Sequence, residues 1–321
     1  MPVVGQGVTV CVTAYNQGRY VAQAIESVLT QTCRPAEVFV LDDASTDDTP
    51  SVTQRYVGDV TVIRNSRNLG LVGNWNRAVT LGSAPYLAIL HGDDLYLPGM
   101  LARASQLLDS NPAIGFAYTA YYHVDQHGRR LDLCRPFSHD HIWPGEREFR
   151  HHVRHDYVQC PTVVVRRQCY HRLGAFDPRL MYAVDWEMWL RIESHGYHIG
   201  YAAEPLACWR LHPLSTSRNL ERQGVSLVED DIAALEVAFH GLPPAQRSLA
   251  GLRDFAFCEL TRKYLRAALV HAARRQWAMA RTRMSNAVNA YRHHPGAARL
   301  VLHLCNESSR FIFRKRWQDD R

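Results

Sequence analysis

Short apolar runs alternate with helical patterns along the N-terminal part of the chain. Four runs rich in β-branched residues predict strands, at Val8–Thr13, Val38–Leu41, Thr61–Arg64 and Tyr86–Leu90. Between them, apolar residues recur at helical spacing in Tyr20–Gln31, and Asn68–Gly82 fits a loop that enters a helix. Strands that alternate with helices in this way predict βαβ units, and therefore a parallel sheet with helices on its faces.

Polar side chains follow three of these predicted strands. They are Thr13 and Tyr15, Asp42 and Asp43, and His91, Asp93 and Asp94. The carboxyl ends of parallel strands share one edge of a sheet, and open α/β sheets bind ligands there. Carboxylates suit a divalent cation, which prefers oxygen ligands. Each acidic pair could instead be a helix cap or a turn. Because the pattern occurs at three strand ends, we favour a ligand site.

The middle of the chain continues the pattern less regularly. It predicts a helix over Pro98–Ser110, a strand with a half-exposed face over Ile114–Val124, a loop over Asp125–Phe149, a strand over Cys160–Arg167 and an amphipathic helix from Val184. Ser45 or Thr46 is predicted to cap a short helix. We expect the histidines in and after the loop to be solvated rather than bound to metal, and these are His139, His141, His151, His152 and His155.

From Val225 onward the sequence becomes helical. Apolar residues from Phe257 to Tyr291 keep a 3.6-residue period, with arginines on the opposite faces. We therefore divide the chain into residues 1–222, the catalytic and ligand-binding unit, and residues 223–321, a helical region. A packed appendage with a solvated basic face is the preferred interpretation, and contact with an anionic membrane surface is the second. The basic tail Phe311–Trp317 is the better candidate for a surface anchor.

Composition narrows the class of protein. The chain has 321 residues, of which 46% are hydrophobic and 21% charged. It has no uninterrupted apolar run of about 18 residues, and its N-terminus lacks the pattern of a secretory signal. Eight cysteines without paired spacing indicate reduced thiols, so we expect a cytoplasmic protein, with peripheral contact at the inner membrane face as a further option. The net charge of +6 fits phosphate ligands, lipid or nucleic acid equally well.

Five motifs in register resemble a known family. They are Val8-Thr-Val-Cys-Val-Thr-Ala-Tyr-Asn, Val40-Leu-Asp-Asp-Ala-Ser-Thr-Asp, Asn68-Leu-Gly with Asn76-Arg-Ala, His91-Gly-Asp-Asp-Leu-Tyr-Leu-Pro and Asp185-Trp-Glu-Met-Trp-Leu-Arg. Over about two thirds of the chain, they are similar to the family 2 inverting glycosyltransferases of the SpsA-like group. The resemblance implies an α/β GT-A fold, a Rossmann-like, mostly parallel sheet flanked by helices, followed here by a C-terminal helical appendage.

The resemblance also implies a chemistry. A nucleotide-diphosphate sugar would be the donor, a sugar or lipid-linked glycan hydroxyl the acceptor, and Mg²⁺ or Mn²⁺ the cofactor, commonly in surface polysaccharide or glycoconjugate synthesis. Matched to the family motifs, Thr13, Tyr15 and Asp43 would face the donor's base and ribose, with Asp42 supporting them. Asp93 would bind the metal, and Asp185 would be the catalytic base.

Two positions depart from the family pattern. His91 stands where the first acid of the Asp-x-Asp element is usual, so it ligates directly, acts through water or has no role. Val184 replaces a second acid before Asp185, so we expect no flanking carboxylate to raise the pKa of that base. The later stretch Trp209–Ser215 resembles a loop that closes over the diphosphate. In it, Arg210 or His212 would meet phosphate, and His212 is a further candidate metal ligand.

Two other functions compete with sugar transfer. A nucleotidyltransferase would be expected to carry a Gly- and Lys-rich phosphate loop after its first strand, where this chain has Thr-Ala-Tyr-Asn-Gln-Gly. A non-catalytic binder of nucleotide or nucleic acid fits the arginine excess. It is disfavoured because carboxylates at the strand ends repel phosphate unless a cation intervenes. We therefore expect no nucleic-acid partner.

Overall fold

The chain folds around a ten-stranded sheet, seen in a computed structural model that describes residues 7–215, 219–220 and 226–293. The strands are Val8–Ala14 (β1), Glu37–Asp42 (β2), Thr61–Arg64 (β3), Tyr86–His91 (β4), Leu95–Tyr96 (β5), Ile114–Val124 (β6), Arg130–Cys134 (β7), His141–Pro144 (β8), Val163–Arg166 (β9) and His198–Arg210 (β10). The main path runs β3-β2-β1-β4-β9-β6-β10-β5, with β7 beside β6 and β8 beside β10.

Helices cover both faces of this sheet. They are Val21–Leu29 (α1), Thr49–Thr53 (α2), Gly70–Val79 (α3), Met100–Ser110 (α4), Gly145–His152 (α5), Gln168–Leu173 (α6), Val184–Ser194 (α7), Leu227–His240 (α8), Arg253–Ala273 (α9) and Trp277–His293 (α10). Every residue of β1 is buried: Val10 and Val12 belong to the apolar cluster on one face, and Cys11 to the cluster on the other. A strand covered on both faces needs the continuous apolar run that predicted it.

The parallel part of the sheet sets up one polar edge. Strand β1 pairs in parallel with β2 and β4, so Ala14 lies opposite Asp42, and Thr13 lies opposite His91. The backbone continues this pairing beyond the strands, because the Gly92 N–H donates to the Thr13 carbonyl at 2.8 Å. The predicted α/β class and mostly parallel sheet are confirmed, and the ends of all three strands meet at one edge.

A mixed second half extends the sheet. Strand β9 is antiparallel to both β4 and β6, and β10 is parallel to β6. The predicted strand Cys160–Arg167 is shorter than expected, because Cys160–Thr162 forms a 3-10 turn before β9. The short β5 pairs with the end of β10, with Cys208 opposite Leu95. This pairing brings the chain after β10 next to the acidic end of β4.

The half-exposed face predicted for β6 is wrong. Tyr118 is wholly buried and Tyr121 is nearly so. The Tyr118 hydroxyl donates to the Glu148 carboxylate at 2.6 Å, and its ring centroid lies 4.8 Å from that of Tyr201. A tyrosine can be buried when its hydroxyl finds a partner, so alternating tyrosines do not require solvent. Helix α7 is likewise not amphipathic, since Val184 to Leu190 are all buried.

The predicted loop Asp125–Phe149 is also wrong in part, because it contains β7, β8 and the start of α5. Among the five histidines, His139 and His155 are exposed as expected. His152 is instead fully buried, and His141 stacks on Trp143 with ring centroids 3.8 Å apart. Glu193, 41 positions from His152, pairs with it in the core, and no local pattern reveals such a partner.

The C-terminal helices are present and pack on the sheet domain. Apolar residues of α8, including Val228, Ile232 and Leu235, belong to the same buried cluster as Trp186 of α7. The division at residues 222 and 223 stays a prediction. The tail Phe311–Trp317 lies outside the described residues. Within the described part of the chain, no helix is both long enough and apolar enough to cross a membrane.

Candidate active site

A cavity of about 360 Å³ opens at the carboxyl edge of the parallel strands. We call it the strand-end cavity. Six of the predicted site residues line it, namely Thr13, Tyr15, Asp43, His91, Asp93 and Asp185. The other two, Asp42 and His212, lie behind its wall and contact residues near it. The structure thus brings together side chains from β1, β2, β4 and α7 that are far apart in sequence.

The loops after β1 and β2 hold one wall of the cavity through mutual hydrogen bonds. The Asn16 side-chain oxygen accepts from the Thr46 N–H at 2.8 Å, and the Asn16 N–H donates to the Ser45 hydroxyl at 2.9 Å. Asp47 accepts from the Gly18 N–H at 3.0 Å. Ser45 and Thr46 therefore join two loops, and their predicted role as helix caps is wrong because helix α2 begins only at Thr49.

Asp43 and Asp42 play different structural parts. The Asp43 Oδ1 accepts from the Asn65 side-chain amide at 2.6 Å and from the Leu69 N–H at 2.8 Å. These bonds fix its carboxylate on the cavity wall. Asp42 Oδ1 accepts from the Ser45 N–H at 3.0 Å behind the wall.

Ala44, in the loop after β2, has φ +58°, a strained value for a residue with a side chain, and such strain is common at functional sites.

Three side chains at the end of β4 form a compact cluster. One ligand-type atom from each of His91, Asp93 and Asp94 lies within 4.8 Å of those of the other two. The His91 Nδ1 donates to Asp94 Oδ2 at 3.1 Å, and Asp94 Oδ1 accepts from the Arg210 N–H at 2.8 Å. Both Asp94 oxygens are thus engaged, so Asp94 orients its neighbours, whereas His91 and Asp93 line the cavity.

Charge in this cluster is balanced by histidines. Burial alone would raise the pKa of Asp93, but the hydrogen bond from His212 and the nearby His91 outweigh it, so the pKa is lowered. Burial raises the pKa of Asp94 despite its bond to His91. Burial would lower the pKa of His91, yet its bond to Asp94 and its contact with Cys160 raise it well above the usual value.

The donor set fits a divalent cation. His91 Nε2 is buried and has no hydrogen-bond partner, while the opposite ring nitrogen donates to a carboxylate. Histidines that bind metals commonly have this carboxylate behind them, because it fixes the tautomer and orients the ring. Asp93 offers a carboxylate oxygen within 4.8 Å of one ring nitrogen of His91. His91 and Asp93 are therefore the residues that would hold Mg²⁺ or Mn²⁺.

Arg210 and His212 contact the acidic cluster rather than forming a loop over it. Arg210 is the last residue of β10 and is only 2% exposed. Its Nε donates to the Asp93 carbonyl at 2.7 Å, and its Nη2 donates to Gln23 at 2.9 Å. The His212 Nε2 donates to Asp93 Oδ2 at 2.9 Å. Both side chains thus position Asp93 from behind, and neither lines the strand-end cavity.

Asp185 lies in the first turn of α7 and is 9% exposed. Burial, followed by the negative charge of Asp156, raises the pKa of its carboxyl to about 7. No carboxylate flanks Asp185 in the sequence, where Val184 precedes it, but the fold brings a carboxylate near it from another segment. Asp156 supplies the charge from a distant part of the chain, and it also lines the cavity. A carboxylate with a pKa near neutrality is well matched to accept a proton.

A buried ion-pair array supports Asp156 from behind. The His152 Nε2 lies 3.2 Å from Asp156 Oδ1, and its Nδ1 lies 2.8 Å from Glu193 Oε1. Burial alone would lower the pKa of His152, but Glu193 and Asp156 raise it to about 10. His152 is therefore a buried cation held between two carboxylates. It joins α5 and α7 to the cavity wall.

Sequence patterns missed several cavity residues. Gln17 follows β1, and its side-chain oxygen is buried without a hydrogen-bond partner. Asp156 and Gln159 come from the segment before β9, which carries no motif. Only the position of Gln17 after a strand end could have drawn attention to it.

A second group of residues of metal-ligand type lies on the β6–β7 hairpin. It consists of His123, Asp132 and Cys134, which are hydrogen-bonded to one another.

Comparison with known sequences places these residues in context. Residues 9–169, half of the chain, match the sequence profile of "Glycosyl transferase family 2". An uncharacterized glycosyltransferase of Methanocaldococcus jannaschii is 25% identical over 209 residues, which cover 64% of this chain and 70% of that protein. Chondroitin synthase of Escherichia coli is 26% identical over 198 residues, which cover 59% of this chain but only 27% of that protein. A Mycobacterium tuberculosis relative, 29% identical, is matched over 61% of its length.

Solved structures share the fold. S. aureus TarS 1–349 in complex with UDP-GlcNAc has a TM-score of 0.57 at 16% identity, covering 89% of this chain and 92% of that one. Mannosyltransferase PcManGT from Pyrobaculum calidifontis, in complex with GDP-Man and Mn²⁺, has a TM-score of 0.56 at 18% identity, covering 88% of this chain and 86% of that one. These likenesses confirm the expected GT-A fold.

Proposed function

Because the chain belongs to glycosyl transferase family 2, we propose that it transfers a sugar from a nucleotide-diphosphate donor to a hydroxyl acceptor, with inversion at the sugar carbon and with Mg²⁺ or Mn²⁺ as cofactor. The observation that carries this proposal is the common cavity lined by Asp43, Asp93 and Asp185. The TarS and PcManGT complexes support a nucleotide-sugar donor, because those proteins hold UDP-GlcNAc and GDP-Man on the same fold.

We assign the donor end of the cavity to the loops after β1 and β2. Asp43 is fixed by Asn65 and Leu69, and it presents a carboxylate that can accept hydrogen bonds from ribose hydroxyls. Tyr15 is 46% exposed at the cavity mouth, where its ring is available to a nucleotide base. Thr13 lies at the end of β1 and lines the same cavity. Asp42 keeps the Asp43 loop in place through Ser45.

His91 and Asp93 would hold the divalent cation at the end of β4. When bound, the cation would neutralise charge that develops on the leaving diphosphate. Asp94 keeps the His91 ring oriented, and His212 keeps Asp93 ionised and in position. The Mn²⁺ in the PcManGT complex supports a divalent metal in this fold. Arg210 acts as a positioning residue through the Asp93 carbonyl.

Asp185 would take the proton from the acceptor hydroxyl as that oxygen attacks the sugar carbon from the face opposite the diphosphate. Attack on the opposite face inverts the carbon, and positioned general-base catalysis contributes about 10²- to 10⁴-fold in rate. Burial, together with the charge of Asp156, keeps the pKa of Asp185 near neutrality, so the base can both exist ionised and accept a proton. His152 holds Asp156 in place.

The direct test of the base is the variant Asp185→Asn. We expect nucleotide binding to stay within about twofold, since the amide keeps the shape of the carboxylate, and turnover to fall by about 10²-fold or more. A turnover of Asp185→Asn within a few-fold of wild type would rule out Asp185 as the base.

A thermal-shift panel of UDP, GDP and dTDP with and without Mn²⁺ identifies the nucleotide first, because only a bound ligand raises the melting temperature.

For the biological role, we propose synthesis of a surface polysaccharide or glycoconjugate. The relation to chondroitin synthase, a protein named for making a polysaccharide, supports this class of product. The alternative of a nucleotidyltransferase gains no support from the site, because the loop after β1 presents Tyr15, Asn16 and Gln17 instead of a Gly- and Lys-rich phosphate loop. Incubation with nucleotide sugars and a panel of glycan acceptors tests the product directly.

A further inference from the structure

A second cavity of about 440 Å³ lies against the strand-end cavity. It is bounded by the end of β10, by α8 and by the α9–α10 hairpin, and we call it the hairpin cavity. Tyr182, Trp209 and Ser215 line both cavities, so they form the partition between them. Tyr182 stands three residues before Asp185 in the chain. A ligand in the hairpin cavity would therefore approach the proposed base across this partition.

The walls of the hairpin cavity are cationic. Its described lining contains no Asp or Glu, and it includes Arg210, Lys263, His271 and Arg283. Asp231 lies behind the wall, and its carboxylate is 2.8 Å from Lys263 Nζ. It also accepts a hydrogen bond from the Tyr264 hydroxyl at 2.8 Å. This buried carboxylate fixes the position of Lys263 while leaving 40% of its side chain exposed. The guanidinium carbon of Arg283 lies 6.0 Å from the centroid of the Tyr264 ring.

The charge of this wall is concentrated in one part of the chain. The segment 253–293, which contains α9 and α10, holds nine Arg and Lys residues against two Asp and Glu residues, whereas the whole chain has a net charge of +6. The hairpin therefore carries the positive charge excess of the protein, and two of its nine cationic residues, Lys263 and Arg283, line the hairpin cavity. Clustered charge of one sign in a concave site concentrates ligands of the opposite sign.

Aromatic side chains supply the rest of the wall. The rings of Tyr182, Trp209 and Tyr264 line the hairpin cavity together with apolar groups of Leu227 and Met279. Flat aromatic faces pack well against the CH-bearing faces of a sugar ring, while cations pair with phosphate or carboxylate. The lining therefore matches a ligand that has both a sugar ring and a negative charge.

We propose that the hairpin cavity is the acceptor site and that the acceptor is an anionic glycan, one whose sugar carries a phosphate or carboxylate group close to the accepting hydroxyl. This rests on the proposed glycosyltransferase function. Lys263 and Arg283 bind the anionic group, and Trp209 and Tyr182 orient the sugar toward Asp185. A concave pocket of this size suits a glycan group better than a bilayer, although exposed Trp277, Leu269 and Val270 lie near the hairpin turn.

The test uses soluble probes and the full chain. Binding of glucose 6-phosphate, glucuronate and glucose is measured by calorimetry or saturation-transfer NMR, in EDTA to keep metal-dependent ligands out of the strand-end cavity. We expect both anionic sugars to bind about tenfold more tightly than glucose, as one charge-assisted contact provides. A second titration, in Mn²⁺ instead of EDTA, is made with saturating nucleotide. A protein that binds no nucleotide would refute the proposed function without deciding the binding of these sugars.

Matched variants locate the binding. Arg283→Gln should weaken glucose 6-phosphate binding about tenfold. Arg281→Gln is the control, because Arg281 is exposed on the same helix and does not line the cavity. Melting temperatures of the variants should remain at the wild-type value, which separates lost binding from lost folding.

Three results would overturn the proposal. Equal affinity for glucose and its phosphate would remove the anionic requirement. An equal loss in Arg281→Gln and Arg283→Gln would show a diffuse charge effect instead of a site. Sedimentation with phosphatidylglycerol vesicles but not phosphatidylcholine vesicles, without any binding of the soluble anionic sugars, would assign the hairpin to a membrane surface.

Discussion

At the scale of single residues, the pair of Asp185 and Asp156 leads us to expect a pH-dependent activity. Burial and the Asp156 charge raise the pKa of Asp185 to about 7. A base acts only when ionised, so kcat/KM should fall as the pH drops through about 7 and level off above it. Asp156→Asn removes one negative neighbour, which should lower the pKa of Asp185 and move the falling limb to lower pH. A pH profile of kcat/KM, measured for the wild type and for Asp156→Asn, locates the falling limb of each.

The control for this shift is Asp59→Asn. Asp59 is exposed in the turn before β3 and does not line the strand-end cavity, so its removal should leave the limb in place. A limb that stays at the same pH in Asp156→Asn would contradict the assignment of Asp156 as the group that tunes the base. A limb that moves equally in both variants would indicate a general change in net charge.

Asp93 makes the metal assignment testable at the same scale. It lines the cavity next to His91, whose Nε2 has no hydrogen-bond partner. Asp93→Ala removes the ionised oxygen ligand, so we expect nucleotide binding to lose its dependence on Mn²⁺. Calorimetry with and without Mn²⁺ measures this difference. Wild-type affinity and wild-type Mn²⁺ dependence in Asp93→Ala would refute the metal role of this residue.

At the scale of elements, the two loops after β1 and β2 depend on a close approach at Gly18. A Cβ atom at this position would lie 1.8 Å from Asp48 Oδ1 and 2.9 Å from the Thr49 backbone nitrogen. Gly18→Ala should therefore push the loops apart and lower the free energy of unfolding by about 1–3 kcal/mol. Urea unfolding measures the change. Gly251→Ala is the control, because nothing lies within 4 Å of its added Cβ.

The sequence predicted those elements whose signal is local. Strands β1, β2 and β4 appear as apolar runs because they are buried on both faces, and the parallel order then places Asp43 and His91 at one edge. Strands β5 and β8 are short and pair with β10, far along the chain, and β7 is a short, largely exposed strand beside β6, so their own residues give no clear pattern. The cluster of His91, Asp93 and Asp94 could be predicted because it directly follows the apolar run of β4. The effect of Asp156 on the pKa of Asp185 could not, because Asp156 lies in another segment of the chain.

Long-range contacts also explain the errors over histidines and tyrosines. His152 is polar and was expected in solvent, yet Glu193 and Asp156 pair with it from α7 and from the cavity wall. Tyr118 is buried because Glu148 accepts its hydroxyl hydrogen bond. A polar residue enters a core when its partners arrive with the fold. Glu148 lies 30 positions from Tyr118 and Glu193 lies 41 positions from His152, which no local periodicity can show.

At the scale of the whole molecule, Asp230 ties the C-terminal helices to the proposed catalytic helix. It lies in α8, and its carboxylate accepts hydrogen bonds from the N–H groups of Met181, Tyr182 and Ala183, at distances from 2.6 to 3.2 Å. These residues lead directly into α7 and Asp185. The same carboxylate therefore fixes the partition between the two cavities and the start of the helix that carries the proposed base.

Asp230→Ala should consequently affect stability and catalysis together. Three backbone donors lose a charged acceptor, so we expect the free energy of unfolding to fall by about 2–4 kcal/mol. Glu229→Ala is the control, because Glu229 is the exposed neighbour on the same helix and should change stability by less than about 0.5 kcal/mol. Because α8 shares one buried cluster with α7, unfolding should stay a single transition in both variants. Two separate transitions in urea would show instead that residues 1–222 fold independently of the helical region. An unchanged turnover in Asp230→Ala would show that the proposed base needs no support from α8.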